Sequence, residues 1–397
     1  MIARLVSWVA AAPVTLADGY LLALTLLSGE LRAPSYGPPS VRFAIVVPAH
    51  NEQEGISATV ENLLAVEYPK ELFSVVVVAD NCSDETAVRA EKAGARVFVR
   101  HDKELRGKGY ALALAFERLV PEVDAIVVVD ADTVVSPNLL AAFCARIQSG
   151  AKAVQADYAV RNPNAAWRTR LMAIAFGSFH VLRSLARERL ELSAGLRGNG
   201  MCFTTSLLEE VPHDAYSIVE DVEYGIKLGE AGHRVYYAAE AHVYGEMVTS
   251  TTASSSQRRR WEGGRAALAG SRGLPLIAQA IARKSAVLLD LAFDILVPPL
   301  STLVVWNVAG LTYAIVVRYV FGKDVSLAIW FANLGVIGVY VLRGWSLSGT
   351  GARGLVDLGA APFYVVWKMW LKVRQRAQPS TWVRTARETE TGTQPAP

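Results

Sequence analysis

The sequence predicts an α/β domain built on a mostly parallel sheet, held between helices long and apolar enough to cross a membrane. Three observations carry that prediction. Apolar runs at residues 43–47, 74–79, 96–99 and 126–129 alternate with amphipathic stretches near 53–66, 84–93 and 108–120, the βαβα rhythm of a sheet covered on both faces. Polar clusters stand at the carboxyl ends of these runs, where such sheets bind ligands. The chain is also more apolar than one soluble domain: 52% of its 397 residues are hydrophobic, 19% are charged and the mean hydropathy is +0.26.

Residues 5–27 are apolar apart from Asp18 and a few hydroxyls, enough to cross ~30 Å of hydrocarbon. The run is longer than a signal-peptide core and no small-x-small cleavage site follows, so residues 1–30 read as a transmembrane helix. Nothing in the sequence accounts for Asp18. Pro34, Gly37, Pro38 and Pro39 break any helix and make residues 31–42 a linker. After the first strand, Asn51 is placed to cap the next helix, with Glu54 completing a capping box. No Gly-x-Gly-x-x-Gly follows that strand, which argues against a dinucleotide-binding oxidoreductase. Lys108, flanked by Gly107 and Gly109 where a helix opens, suits a phosphate oxygen. The fourth apolar run stops on Asp130 and Asp132, which the period of two sets on one side of the chain, with Ala131 opposite. Two bare carboxylates there repel, so Mg²⁺ or Mn²⁺ is the natural third party; a turn cap is the alternative.

Between residues 164 and 190, Trp167, Leu171, Ile174, Leu182 and Leu185 follow helical spacing. Arg168, Arg170, Arg183, Arg187 and Arg189 lie largely off that stripe, as in an amphipathic helix at the membrane interface or an ordinary core-facing helix. His180 reads as a packing residue. Gly198-Asn-Gly-Met-Cys202 is a turn entering a short apolar strand. His242 suits packing, a metal or a phosphate. Gln257-Arg-Arg-Arg-Trp261 sets guanidinium forks beside an indole, chemistry that fits phosphate and a pyranose face; a basic surface helix would explain Arg258 and Arg259 as well. Residues 284–343 hold two further spans, at 291–317, with Pro298 and Pro299 as a kink, and at 325–342. Asp357 and Lys368 interrupt residues 355–371 and Pro362 bends them, so 344–372 read as interfacial or re-entrant, with Trp367 and Trp370 among headgroups, and 373–397 as a flexible tail.

The net charge is only +3, and basic residues gather beside the apolar segments: Arg32, Arg42, Arg283, Lys284, Lys372, Arg374 and Arg376. That pattern marks cytoplasmic flanks facing anionic membrane lipid and excludes a nucleic-acid footprint. Cys82, Cys144 and Cys202 are odd in number and widely spaced, which fits a reduced compartment and neither a disulfide framework nor a zinc site.

Five motifs in order resemble family 2 glycosyltransferases over about residues 43–265: Val47-Pro-Ala-His-Asn-Glu52, Asp80-Asn-Cys-Ser-Asp84, Asp130-Ala-Asp132, Glu220-Asp221 and Gln257-Arg-Arg-Arg-Trp261. The last resembles the membrane-embedded branch that includes cellulose, hyaluronan and poly-N-acetylglucosamine synthases. The resemblance implies a Rossmann-like GT-A catalytic domain over residues 43–250, on the cytoplasmic side, followed by the Arg-Trp segment at 251–283. It implies inverting transfer from a nucleotide sugar, usually a UDP-sugar, to a growing polysaccharide or a lipid-linked acceptor. In that scheme Pro48, Asn51, Glu52 and Asp80 surround the nucleotide, with Asp80 on the uracil. Lys108 lies near the diphosphate with Gln257 and Arg260. Asp132 holds the metal directly, and Asp130 contacts the ribose or the metal through water. Gly198, Asn199 and Gly200 line the acceptor pocket, and Trp261 stacks on the acceptor. Asp221 is the general base, with Glu220 as the fallback and an N-cap as the structural alternative. Val219 stands where related enzymes usually have Thr. A single-transfer glycolipid synthase resembling ceramide glucosyltransferases is the nearest alternative. An inactive scaffold is disfavoured because every candidate carboxylate is present. The Gln-Arg-x-Arg-Trp form favours repeated extension, yet three spans make a small channel, which a second copy or an accessory export subunit would complete.

Overall fold

The computed structural model describes residues 2–247, 251–322 and 326–363, and side chains at all of these except 3, 4 and 251–260. Strands β1 (Phe43–Ala49), β2 (Phe73–Asp80), β3 (Arg96–Arg100) and β4 (Ala125–Val128) form where the alternating runs predict them. They pair in parallel in the order β3-β2-β1-β4. The valines and isoleucines of β1, β2 and β4 are buried because both faces are covered, which is why those runs read as continuous rather than alternating, whereas Val99 of the edge strand β3 is exposed. Helices α2 (Ile56–Leu64), α3 (Thr86–Lys92) and α4 (Lys108–Leu119) are the crossovers.

The rest of the sheet is antiparallel in part. After β5 (Thr133–Val135) and α5 (Leu139–Gln148) come β6 (Ala153–Val160), α6 (Trp167–Phe176), a π-helical turn at Gly177–Leu182 and α7 (Arg183–Arg189). Then follow β7 (Met201–Thr204), α8 (Thr205–Glu210), α9 (Glu220–Glu230) and β8 (Val235–Gly245). Strand β7 runs antiparallel between β4 and β6, and β5 closes the far edge on β8. The one sheet thus reads β3-β2-β1-β4-β7-β6-β8-β5.

The apolar helices pack together beside this domain. Helix α1 (Ile2–Leu27) contacts α12 (Leu300–Phe321) and α13 (Ser326–Leu347), and each of the three is long and apolar enough to cross a membrane. Before α12 run α10 (Thr251–Arg283) and α11 (Ala286–Leu296), and after α13 comes α14 (Gly351–Leu358). The expected span at 291–317 is corrected here: Pro298 and Pro299 do not kink one helix but separate α11 from α12, since Pro299 has an extended backbone and caps α12. Helix α11 packs on α9 and α10. The Asp18 carboxylate accepts a 2.9 Å hydrogen bond from the Asn307 amide on α12, a buried polar contact between two apolar helices. Residues 364–397, including Trp367, Trp370 and the basic tail, lie outside the described residues.

The segment around residues 164–190 is not a surface amphipathic helix. Arg183 and Arg187 are buried, and α7 sits between the sheet domain and the apolar helices. Arg187 pairs with Asp290 at 2.9 Å and Asp294 at 2.7 Å on α11, while Arg183 reaches Asp294 at 2.9 Å and the Tyr340 hydroxyl at 3.0 Å. Tyr20 on α1 completes the cluster, accepting from Arg187 at 2.6 Å and donating to Asp290 at 2.8 Å. Burial pushes the Asp294 carboxyl up, but the surrounding guanidiniums win and hold it well below the usual range. Arg183 and Arg187 are off the apolar stripe because they face buried carboxylates, not water.

A close helix approach reinforces this joint. A Cβ on Gly177 would strike the Gly344 carbonyl, and one on Gly344 would strike Ser178. Gly344→Leu should therefore cost at least ~1–3 kcal/mol, the usual scale of overpacking. A clearly lowered melting temperature in detergent is the expected reading, and an unchanged one would show that the helices separate easily.

Candidate active site

The carboxyl ends of β1, β2 and β4 open into a single cleft of about 2410 Å³, well above the ~300–1,000 Å³ of an ordinary small-ligand pocket. Pro48, Glu52, Asp80, Asp130 and Asp132 line one end, and Gly198, Glu220, Asp221 and Trp261 the middle. The far end is apolar, walled by Val304, Val305 and Val308 of α12 and Val341 of α13.

At the sheet end of the cleft, Asp80 ends β2 and accepts from Arg100 at 2.8 Å and from the Asn81 amide at 3.0 Å. Arg100, unmarked by any motif, also pairs with Asp102 at 3.2 Å. His50 Nδ1 lies 2.7 Å from the Asp80 carbonyl, tying the ends of β1 and β2 together. The capping box expected of Asn51 and Glu54 does not form. Helix α2 starts one turn later, with Gly55 as N-cap, and Asn51 adopts a left-handed φ of 56° with its amide oxygen accepting from the Ser83 N–H at 2.8 Å. Asn51 thus joins the two loops and is not among the cleft-lining residues.

Lys108 opens α4 and bridges two loops, its ammonium 2.5 Å from Asp130 and bonded to the Gly198 carbonyl. Burial opposes its charge, yet Asp130, Glu220 and Asp221 together raise its pKa above the ordinary lysine value. Gly198 has φ +77°, and a Cβ there would lie 3.4 Å from the Asp221 carboxylate and 3.9 Å from the Lys108 ammonium. Those distances would admit a Cβ; it is the left-handed φ that favours glycine at this turn. Asn199 and Gly200 turn inward instead. The fully buried Asn199 amide accepts from the Asp130 N–H at 3.1 Å and donates to Thr133 at 2.7 Å, and Gly200 packs against Val243 and Ala156. They position Asp130 rather than face the cleft.

Asp130 and Asp132 offer only carboxylate oxygens, and among the described residues no three His, Cys, Asp or Glu side chains form a metal-binding group. An incomplete all-oxygen set suits Mg²⁺ or Mn²⁺, which usually takes one or two carboxylates and completes its shell with water and substrate phosphates. His242 does not join them: its Nδ1 lies 2.9 Å from Asp157, whose other oxygen accepts from Tyr237 at 2.8 Å.

Asp221 is not an N-cap. Helix α9 begins at Glu220 with Val219 as N-cap, which sets Asp221 in the first turn on the cleft wall. Burial pushes the Asp221 carboxyl up, the Val222 N–H, Lys108, Arg197 and Arg265 pull it back, and the net position stays above the usual range. Glu220 is more deeply buried and is raised by that burial and by the neighbouring Asp221 charge. Trp261 follows on α10, packed against the cluster of Val160, Phe176 and Met247. Gln257 and Arg260 lie on the backbone of α10, and their side chains are outside the description. His180 packs as expected, half-buried and stacked 4.4 Å from Phe176.

The fold is the GT-A fold. Its likeness to the mannosyltransferase PcManGT from Pyrobaculum calidifontis, solved with GDP-Man and Mn²⁺, covers 88% of this chain and 99% of that one at a TM-score of 0.57 and 16% identity. Residues 38–264, over half the chain, match the profile described as Glycosyltransferase like family 2, and the chain belongs to that family. Among curated relatives it is 28% identical over 250 residues to the beta-monoglucosyldiacylglycerol synthase of Synechocystis, covering 60% of this chain and 50% of that protein. It is 25% identical over 232 residues to "Probable glycosyltransferase YdaM" of Bacillus subtilis, covering 56% and 55%. The chain spans about half the length of these two relatives.

Proposed function

We propose that this protein transfers a sugar, with inversion, from a nucleotide sugar to a hydroxyl of a lipid-linked acceptor at a membrane. The observation that carries this reading is the continuity of the cleft, which passes from Asp80 and Asp130 by way of Asp221 to the apolar wall of α12 and α13. A nucleotide fits the polar end, and an acyl or prenyl tail fits the apolar end. The three apolar helices would cross the membrane with the amino terminus outside, keeping Arg32, Arg42 and Arg283 on the cytoplasmic side with the donor.

In this reading Asp80, held by Arg100, receives the base, and Lys108, positioned by Asp130 and Gly198, turns to the diphosphate. A divalent cation on Asp132 and Asp130 would offset the charge that develops on the leaving diphosphate. Asp221 takes the proton of the acceptor hydroxyl as that oxygen attacks the anomeric carbon, and the carbon–diphosphate bond breaks on the opposite face. Val219, in place of the threonine usual in related enzymes, packs beneath α10, where Gly264 approaches it closely.

Incubation of the purified protein with radiolabelled UDP- and GDP-sugars and a diacylglycerol or polyprenyl acceptor tests the proposal. Lipid-soluble label that depends on Mn²⁺ or Mg²⁺ is expected; label only in a water-soluble polymer would favour repeated extension of a glycan instead. That second reading has one observation behind it, the Trp261 indole on the cleft wall. Trp261→Ala should slow transfer by ~10²-fold, the scale of misplacing an acceptor, with UDP affinity kept within a few-fold. Lost UDP affinity with normal transfer would give the indole to the donor.

A further inference from the structure

Phe179 projects from the π-helical turn, and three guanidinium groups lie over its ring: Arg183 at 4.6 Å, Arg197 at 4.9 Å and Arg265 at 4.9 Å from the centroid. All four residues line the cleft next to Asp221. Behind them stands Arg187, with no exposed surface. The ion pairs of Arg183, Arg187 and Arg265 all go to the same two carboxylates, Asp290 and Asp294. Arg197 is paired with neither. Its guanidinium donates to the Ala194 carbonyl at 3.1 Å, its buried Nε has no partner, and the residue is only 8% exposed.

Four guanidiniums against two carboxylates leave two positive charges uncompensated. Asp221, when ionised, answers one of them. A buried charge without a partner is costly, so keeping the other at a cavity wall is explicable if an anion is received there. Burial, helped by the neighbouring arginines, already pushes Arg197 down to about 10, and a bound anion would reverse that. Guanidinium forks gathered over one ring match a phosphate better than a single carboxylate oxygen. The apolar end of the same cleft supplies room for a tail.

We propose that the corner formed by Arg197 and Arg265 over Phe179 binds a phosphate group carried by the lipid acceptor, beside the oxygen that Asp221 serves. This inference rests on the transfer reading above and narrows its acceptor to anionic lipids. The donor diphosphate is the competing occupant, but it already has Lys108 and the Asp130–Asp132 end.

The test measures binding to the full chain in a neutral detergent, using dioctanoyl phosphatidic acid, dioctanoylglycerol and inorganic phosphate as probes. Phosphatidic acid should bind at least ~10-fold more tightly than dioctanoylglycerol, the scale of one or two charge-assisted hydrogen bonds. Arg197→Gln and Arg265→Gln should each abolish that preference while leaving UDP affinity unchanged, and Arg197→Lys should retain part of it. The comparison of probes on the parent protein needs no variant to fold, and melting temperatures show which variants do. Equal affinity for the two lipids would overturn the proposal, as would inorganic phosphate binding as tightly as the phospholipid. A drop in UDP affinity in Arg197→Gln would overturn it too, assigning the cluster to the donor. Sugar transfer to dioctanoylglycerol without any preference for the phosphate would sink this inference and leave the transfer reading standing. Failure to bind any nucleotide sugar, with the lipid preference intact, would sink the transfer reading and leave the corner as a lipid-phosphate site without an acceptor role.

Discussion

Asp221→Asn should reduce sugar transfer by ~10²-fold or more, the usual loss when a general base is removed, while UDP affinity stays close to that of the parent. The amide keeps the shape of the carboxylate beside Gly198 but cannot take a proton. Because burial raises both carboxyls of the Glu220–Asp221 pair, and the Asp221 charge raises Glu220 further, the parent's activity should rise with pH along a limb displaced above the ordinary carboxylate range. The limb belongs to the pair, since each charge disfavours the other. A variant that transfers normally would move the base to Glu220, and a limb at the ordinary carboxylate position would show that the cleft is wetter than its burial implies.

Asp132→Ala should be comparably severe, but by another route. In the proposed reading Asp132 holds the cation directly while Asp130 is bonded to Lys108, so removal of Asp132 takes away a direct oxygen ligand at the end of β4. Transfer should fall by ~10²-fold or more, on the scale of losing a stabiliser of leaving-group charge, and UDP binding should no longer respond to Mn²⁺. Titration of UDP with and without Mn²⁺ reads this directly. Full activity of the parent in excess EDTA would remove the metal from the reaction altogether.

The first half of the domain was legible because its signals are local. Buried parallel strands leave continuous runs of valine and isoleucine, and Asp80, Asp130 and Asp132 stand where those runs stop. The second half is held by contacts distant in sequence. Strand β7 is four residues long and pairs with β4 across more than seventy, so neither length nor alternation marks it. Asn199 looked like an acceptor contact because it sits between glycines, whereas its burial makes it a brace for Asp130. The ion cluster did leave a trace: Arg183 and Arg187 lie one helical turn apart, as do Asp290 and Asp294 in an otherwise apolar stretch. Matching pairs of opposite sign at the same spacing were the signal, but reading each segment alone turned the first into an interfacial face. Arg197 and Arg265 gave no such hint, since single arginines are common on surfaces.

The joint at Gly177 and Gly344, with the arginine–aspartate cluster around it, bars sliding between the sheet domain and the apolar helices. In the proposed reading the Asp221 carboxylate is therefore carried at one fixed height above the apolar end of the cleft. A molecule built this way acts as a gauge: an acceptor whose reactive oxygen lies too close to its tail, or too far from it, never meets Asp221. Selectivity would then be set by the length of the acceptor's headgroup as well as by its chemistry.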